Sequence, residues 1–111
     1  MSSALNLVTE LTNSTRNADF GETQVLRHAA VFGGFFYNKE NTVADTTISL
    51  SITLPKSGIT YVLFSDTLGP TQASAVYTNN IPLPIGTIFT ITTTGIITTD
   101  KTHRYAITIS R

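Results

Sequence analysis

Residues Thr47 to Leu54 place Ile48, Leu50, Ile52 and Leu54 in strict alternation with Thr47, Ser49, Ser51 and Thr53. Only an extended chain sends successive side chains to opposite faces, so the segment predicts a strand with one apolar and one hydroxyl face. The alternation returns at Thr87–Ile91 and Arg104–Ser110. Strands are therefore expected at Thr46–Leu54, Ile59–Phe64, Ala73–Thr78, Ile85–Thr93 and His103–Ser110. Pro55 to Gly58 read as a four-residue turn, with proline presetting φ and glycine closing it, so the first two strands form a hairpin. Ser65–Pro70 reads as a loop. Asn79-Asn80 with Pro82 and Pro84 reads as a loop or a sheet edge, because proline donates nothing to a central ladder. Gly95 marks a bend and Thr98–Lys101 a turn.

The first third of the chain is less one-sided. Ala4, Leu5, Leu7, Val8 and Leu11 have helical spacing, yet Leu5 and Leu7 also fit a strand, so a short helix and an extended arm both satisfy the pattern. Residues 12–19 are polar and read as loop. Glu22–Phe32 favours strand over helix. Gly33-Gly34 then reads as a primed hairpin turn in preference to a bulge in one long strand.

Strands recurring about every ten residues, with turn chemistry between them, predict an all-β fold: an antiparallel β-sandwich or jelly-roll-like barrel with an N-terminal arm or short helix. Residues 1–20 form that arm and loop, and residues 21–111 a single sandwich domain. The expected core is Ile48, Leu50, Ile52, Leu54, Val62, Phe64, Phe89, Ile91, Tyr105, Ile107 and Ile109.

Composition narrows the function more by exclusion than by naming it. The 111 residues suit one domain. Seven basic and seven acidic residues give a net charge of zero, which disfavours nucleic acid and polybasic membrane-surface binding. Charged residues are 13% of the chain, about half the usual fraction of roughly 25%. Such a surface either is solvated by hydroxyls and amides or is covered in a larger assembly. Cysteine is absent, so neither disulfides nor thiolate chemistry contributes. The N-terminus has no basic, apolar signal pattern, which is the expectation for a protein made in a cytoplasm without export. Ala29–Tyr37, the most apolar stretch, is far shorter than the roughly 20 residues of a membrane helix.

Catalytic and metal motifs are missing. His28 and His103 have no third ligand at metal spacing, and the acids are scattered through turns. No serine lies in a Gly-x-Ser-x-Gly elbow, and Gly33-Gly34 lacks the lysine of a phosphate loop. Asn13-Ser14-Thr15 matches a glycosylation sequon, but without a secretory signal chance is the better explanation. The chain reads as a non-enzyme without cofactor or metal. Two features stand out instead: the aromatic run Phe35-Phe36-Tyr37, which points to both faces of a strand, and the spaced Leu5, Leu7, Val8 and Leu11. These seven residues are the candidate partner contacts. Tyr61, Tyr77 and Tyr105 are a candidate sugar-stacking row.

A small, neutral, cysteine-free, Thr/Ile-rich all-β chain resembles the virion proteins of tailed bacteriophages, above all head decoration (cement) proteins. The resemblance implies a structural virion protein on the capsid surface, bound to the major capsid protein or another virion protein, and homo-oligomeric with a trimer favoured. The alternative is a receptor- or glycan-binding sandwich domain of a tail fibre or lectin.

Overall fold

A computed structural model of the chain describes residues 8–13, 19–40, 44–95 and 103–111. Among these residues eight strands run in chain order: β1 (Val8–Thr12), β2 (Gly21–Val25), β3 (Ala30–Lys39), β4 (Thr46–Thr53), β5 (Thr60–Leu68), β6 (Ser74–Leu83), β7 (Ile88–Thr94) and β8 (His103–Ser110). They form two four-stranded sheets, ordered β1-β8-β3-β6 (sheet A) and β2-β7-β4-β5 (sheet B). Every pairing is antiparallel. The pairs β4·β5, β3·β6, β2·β7 and β1·β8 are nested, so the chain is one long hairpin rolled into two layers. That winding is the jelly roll, and the all-β expectation holds.

Alternation builds the core. From sheet B, Ile48, Leu50 and Ile52 of β4 face inward with Phe89 and Ile91 of β7, all buried. From sheet A, Phe32, Phe35 and Tyr37 of β3 lie opposite Ile109, Ile107 and Tyr105 of β8. The β5/β6 side is closed by rings: Phe64 stacks on Tyr77 with centroids 5.6 Å apart, and Tyr77 on Phe32 at 6.0 Å.

The structure redraws several expected elements. Gly33-Gly34 is a bulge inside the ten-residue β3, not a hairpin turn: the register shifts between Phe32 and Gly34, and neither glycine has positive φ. A primed turn requires positive φ, whereas the bulge inserts one residue and puts both Phe32 and Phe35 on the core side. The strand expected through Glu22–Phe32 is two strands in different sheets. The crossing segment is pinned at Leu26, whose N–H donates to the Thr87 carbonyl (2.9 Å) and whose carbonyl accepts from Gly86 N–H (2.9 Å). Ser65–Leu68 continues β5 instead of looping, and β6 runs through Asn79-Asn80 and Pro82 as an edge strand. Strand β7 begins at Ile88, three residues later than expected. Val62 is not core but 58% exposed, because a bulge between Leu50 and Ser51 reverses the phase of β5 and sets Val62 opposite Ser51. The sandwich draws in Val8–Thr12, which pairs with β8 as a strand. Leu5, Leu7 and the turn expected at Thr98–Lys101 lie outside the described residues.

Two glycines with positive φ separate backbone strain from steric conflict. Gly58 (φ 73°) closes the β4–β5 turn in open space; Gly95 (φ 94°) follows β7, where a Cβ would be driven into the Asp45 carbonyl oxygen. Gly58→Ala is expected to cost about 1–2 kcal/mol, the penalty of the left-handed region alone. Gly95→Ala is expected to cost about 3 kcal/mol or more, since backbone has to move as well. Urea denaturation of both variants tests the difference, and equal losses would refute it.

Candidate interaction surfaces and a buried polar end

The seven candidate contacts separate by face. Phe35 and Tyr37 are buried in the core, so neither offers a partner surface; the alternation that exposes Phe36 turns both of its neighbours inward. Leu11 is half-buried against the core. Val8 (67% exposed) and Phe36 (39% exposed) both lie on the outer face of sheet A. The tyrosine row does not form. Tyr105 is buried, Tyr77 is stacked beneath Phe64, and Tyr61 is exposed on β5.

The outer face of sheet A carries a shallow trough of about 600 Å³. Cross-strand rows define its floor: Thr12, Ala106, Phe36 and Val76 in one, and Arg104, Asn38 and Ser74 in the next. Phe36 reaches over Gly34, with its Cε2 only 3.1 Å from where a Cβ on that glycine would stand. The ring therefore needs glycine beneath it. Asn13 is already engaged: its Oδ1 accepts from Tyr105 N–H at 2.8 Å.

The outer face of sheet B is of another kind. Its rows read Thr94–Thr47–Thr67, then Gly21–Thr92–Ser49–Ser65, then Thr23–Thr90–Ser51–Val62, then Val25–Ile88–Thr53–Thr60. No position in these rows is charged. Many hydroxyls are paired to one another across strands: Thr47 with Thr67 (3.0 Å), Ser49 with Thr92 (2.7 Å) and Thr53 with Thr60 (2.9 Å).

A third feature lies inside the sandwich, at the end where β3 stops and β8 starts. Tyr37, Lys39 and His103 all face inward and are buried. Lys39 and His103 are direct register partners. The Tyr37 hydroxyl is hydrogen-bonded to His103 Nδ1, while His103 Nε2 and the buried Thr46 hydroxyl have no partner among the described residues. Lys39 Nζ donates to the carbonyls of Gly69 (3.0 Å) and Pro70 (3.3 Å), tying the β5–β6 connection to sheet A. Burial pushes the Lys39 amine down, with Asp45 opposing. It pushes the Tyr37 phenol up, helped by the charge of Asp19. It also pushes His103 down, reinforced by Lys39 and opposed by Asp19 and Glu40. The pair is thus held neutral, which suits a buried polar lock. Alternation located His103 in its strand; the pairing with Tyr37 needed the β3·β8 register, which no local pattern encodes. Among the described residues, no three His, Asp or Glu side chains gather as a metal site, and no helix is long and apolar enough to cross a membrane.

No protein-family model matches the chain, and no curated protein matches it in sequence. Among solved structures it is similar to the Yersinia pseudotuberculosis-derived mitogen, at 12% identity over 96% of this chain and 86% of that one (TM-score 0.46). It is similar to PirA at 8% identity over 100% and 99% (TM-score 0.47). It is also similar to infectious bursal disease virus, Gx strain, at 14% identity over 95% of this chain and 31% of that one (TM-score 0.47). The chain therefore spans about a third of the viral chain's length. A virus is among the sources of the β-rich structures it resembles, and likenesses this distant carry no argument about function.

Two outcomes follow from the buried end. Tyr37→Phe leaves both His103 ring nitrogens without a described partner and is expected to cost about 1–3 kcal/mol in denaturant unfolding. Because His103 is held below its ordinary value of 6.5, the unfolded chain takes up the proton first as pH falls. Its contribution to stability is full above about pH 6.5 and is lost below it, with a slope of at most about 1.4 kcal/mol per pH unit for one proton. Unfolding free energies measured between about pH 7.5 and 5 should fall for the parent and flatten in His103→Gln; parallel curves would refute the assignment.

Proposed function

We propose that this protein is a structural virion subunit, a head decoration (cement) protein that homo-oligomerises, as a trimer, and binds the outer capsid lattice without catalysing a reaction. The observation that carries the reading is the uncharged outer face of sheet B. Interface centres are depleted of charge, and covering a surface is costly mainly where it strands a charge or an unpaired polar group. Here six of the hydroxyls that a partner would cover, those of Thr47, Thr67, Ser49, Thr92, Thr53 and Thr60, already bond one another in pairs. Desolvating them orphans few donors, so a partner sheet or lattice surface can lie on this face at low cost. Symmetry then multiplies modest contacts into tight binding.

A second reading, a glycan-binding domain, draws support from one feature. Phe36 is an exposed ring bordered by Asn38, Ser74 and Arg104, the combination of a stacking platform with hydrogen-bonding groups.

Light scattering across a concentration series tests the assembly reading. The parent chain is expected at three times its 12.0 kDa mass. Ser49→Lys and Thr92→Lys, which set a charge at the centre of the sheet B face, are expected to yield monomers while changing stability by no more than about 1 kcal/mol. A parent that stays monomeric at every concentration would overturn the homo-oligomer. Phe36→Ser is expected to leave the trimer intact; if it alone abolishes binding on a glycan array, the second reading replaces the first.

A further inference from the structure

Strands β1 and β2 are edges of different sheets and lie on the same side of the sandwich. Facing sheets stand about 10 Å apart, so two edges that share no ladder leave a gap. Toward the buried polar end, side chains fill it. The Tyr105 hydroxyl donates to Glu22 Oε1 at 2.8 Å, and Gln24 Nε2 donates to the Tyr105 hydroxyl at 3.0 Å and to the Thr12 carbonyl at 3.2 Å. Toward the other end this bridging stops, and the gap opens as a cleft of about 520 Å³. Such a volume lies within the range of roughly 300–1,000 Å³ typical of small-molecule sites.

The chemistry of the cleft is divided. Its floor is apolar: Leu26 is buried, and Leu11 and Ile109 are half-buried against the core. Its rim is cationic. Arg27 and Arg111 are exposed there beside His28, and among the described residues no aspartate or glutamate lines the cleft. In a chain whose side-chain charges cancel, that is a local imbalance among the side chains. Neither arginine has an ion-pair partner among the described residues. A bare anion would gain nothing from the leucine and isoleucine floor, and a neutral apolar ligand would gain nothing from two guanidinium groups. A carboxylate presents two oxygens that match the planar fork of a guanidinium, and a hydrocarbon tail removes the floor from water.

We propose that this cleft is a binding site for a carboxylate carried on a hydrocarbon chain, with its head at Arg27 and Arg111 and its tail over Leu11, Leu26 and Ile109. The site opens at the edge of the sandwich: Thr23 and Val25 of the outer rows of sheet B border it, but Leu11, Leu26, Arg27, Ile109 and Arg111 stand in none of those rows, so substitutions at the arginines test it apart from the assembly reading.

The test is an amide chemical-shift titration of the full chain with decanoate below its micelle concentration, alongside decanol. Expected are saturable shifts at the amides of Leu11, Leu26 and Ile109, and binding at least about tenfold weaker for decanol. The double variant Arg27→Gln with Arg111→Gln should weaken decanoate by at least about tenfold while keeping a dispersed, parent-like spectrum, since both side chains are exposed. Decanoate shifts that never saturate, shifts confined to the Phe36 trough, decanol binding as tightly as decanoate, or an unchanged affinity in the double variant would each overturn the proposal.

Discussion

The pairing of β3 with β8 is the constraint on which the rest of the fold depends. It joins residues 31–39 to residues 103–110 at the centre of sheet A. It places Phe35 against Ile107 and Tyr37 against Tyr105, and so aligns the inward row that the other sheet packs upon. It also brings Lys39 opposite His103, which builds the buried polar end. The loop that must close to make this pair is long, and closure entropy is met before any contact repays it. The nested winding eases that requirement. Among strands that pair with each other, β4 and β5 have the shortest connection, and each nested pair outside them closes across an already shortened path.

Much of the architecture is legible in the chain because alternation reports burial on one side of a sheet. Strand β4 and strand β8 are read within a residue of their bounds, and of the two readings open at Pro82, a loop or an edge, the structure takes the edge. What escapes is whatever changes phase. The Gly33-Gly34 dipeptide suits a turn and a bulge equally by composition. The bulge wins because β3 must stay straight enough to pair with both β6 and β8, and only an inserted residue keeps Phe32 and Phe35 on the same side. The bulge at Leu63 turns Val62 to solvent in the same way. Of the candidate contacts, Val8 and Phe36 share an outer face, while the core claims Phe35 and Tyr37. The aromatic run marks a strand with work on both sides, and alternation alone does not say which ring goes which way until the bulge sets the phase.

Low charge has different consequences on the two sheets. Sheet A keeps Glu10 and Arg104 around its trough, so that face stays wet and mixed. Sheet B keeps none in its outer rows, and six of its hydroxyls answer one another in pairs. A long exposed strand edge or a flat apolar face invites indiscriminate pairing, whereas paired hydroxyls hold little free energy against water. Such a face offers water its hydroxyls without a broad apolar patch and is still cheap to cover, which is the property that the assembly proposal rests on.

The two ends of the sandwich then complete a division of labour. At one end, a neutral Tyr37–His103 pair and the Lys39 amine fill the space between the sheets and hold the β5–β6 connection down. The polar residues of β2 continue that filling along the open edge through Tyr105. They stop at Gln24, because beyond it the chain leaves sheet B at Leu26 to start β3 in sheet A. The crossing itself makes the cleft: a segment tied by its backbone to Gly86 and Thr87 cannot also seal the gap with side chains. Its only polar side chains, Arg27 and His28, are left at the rim above an apolar floor. A closed end and an open, cationic one therefore follow from the same winding, and the difference lies in where the chain changes sheets.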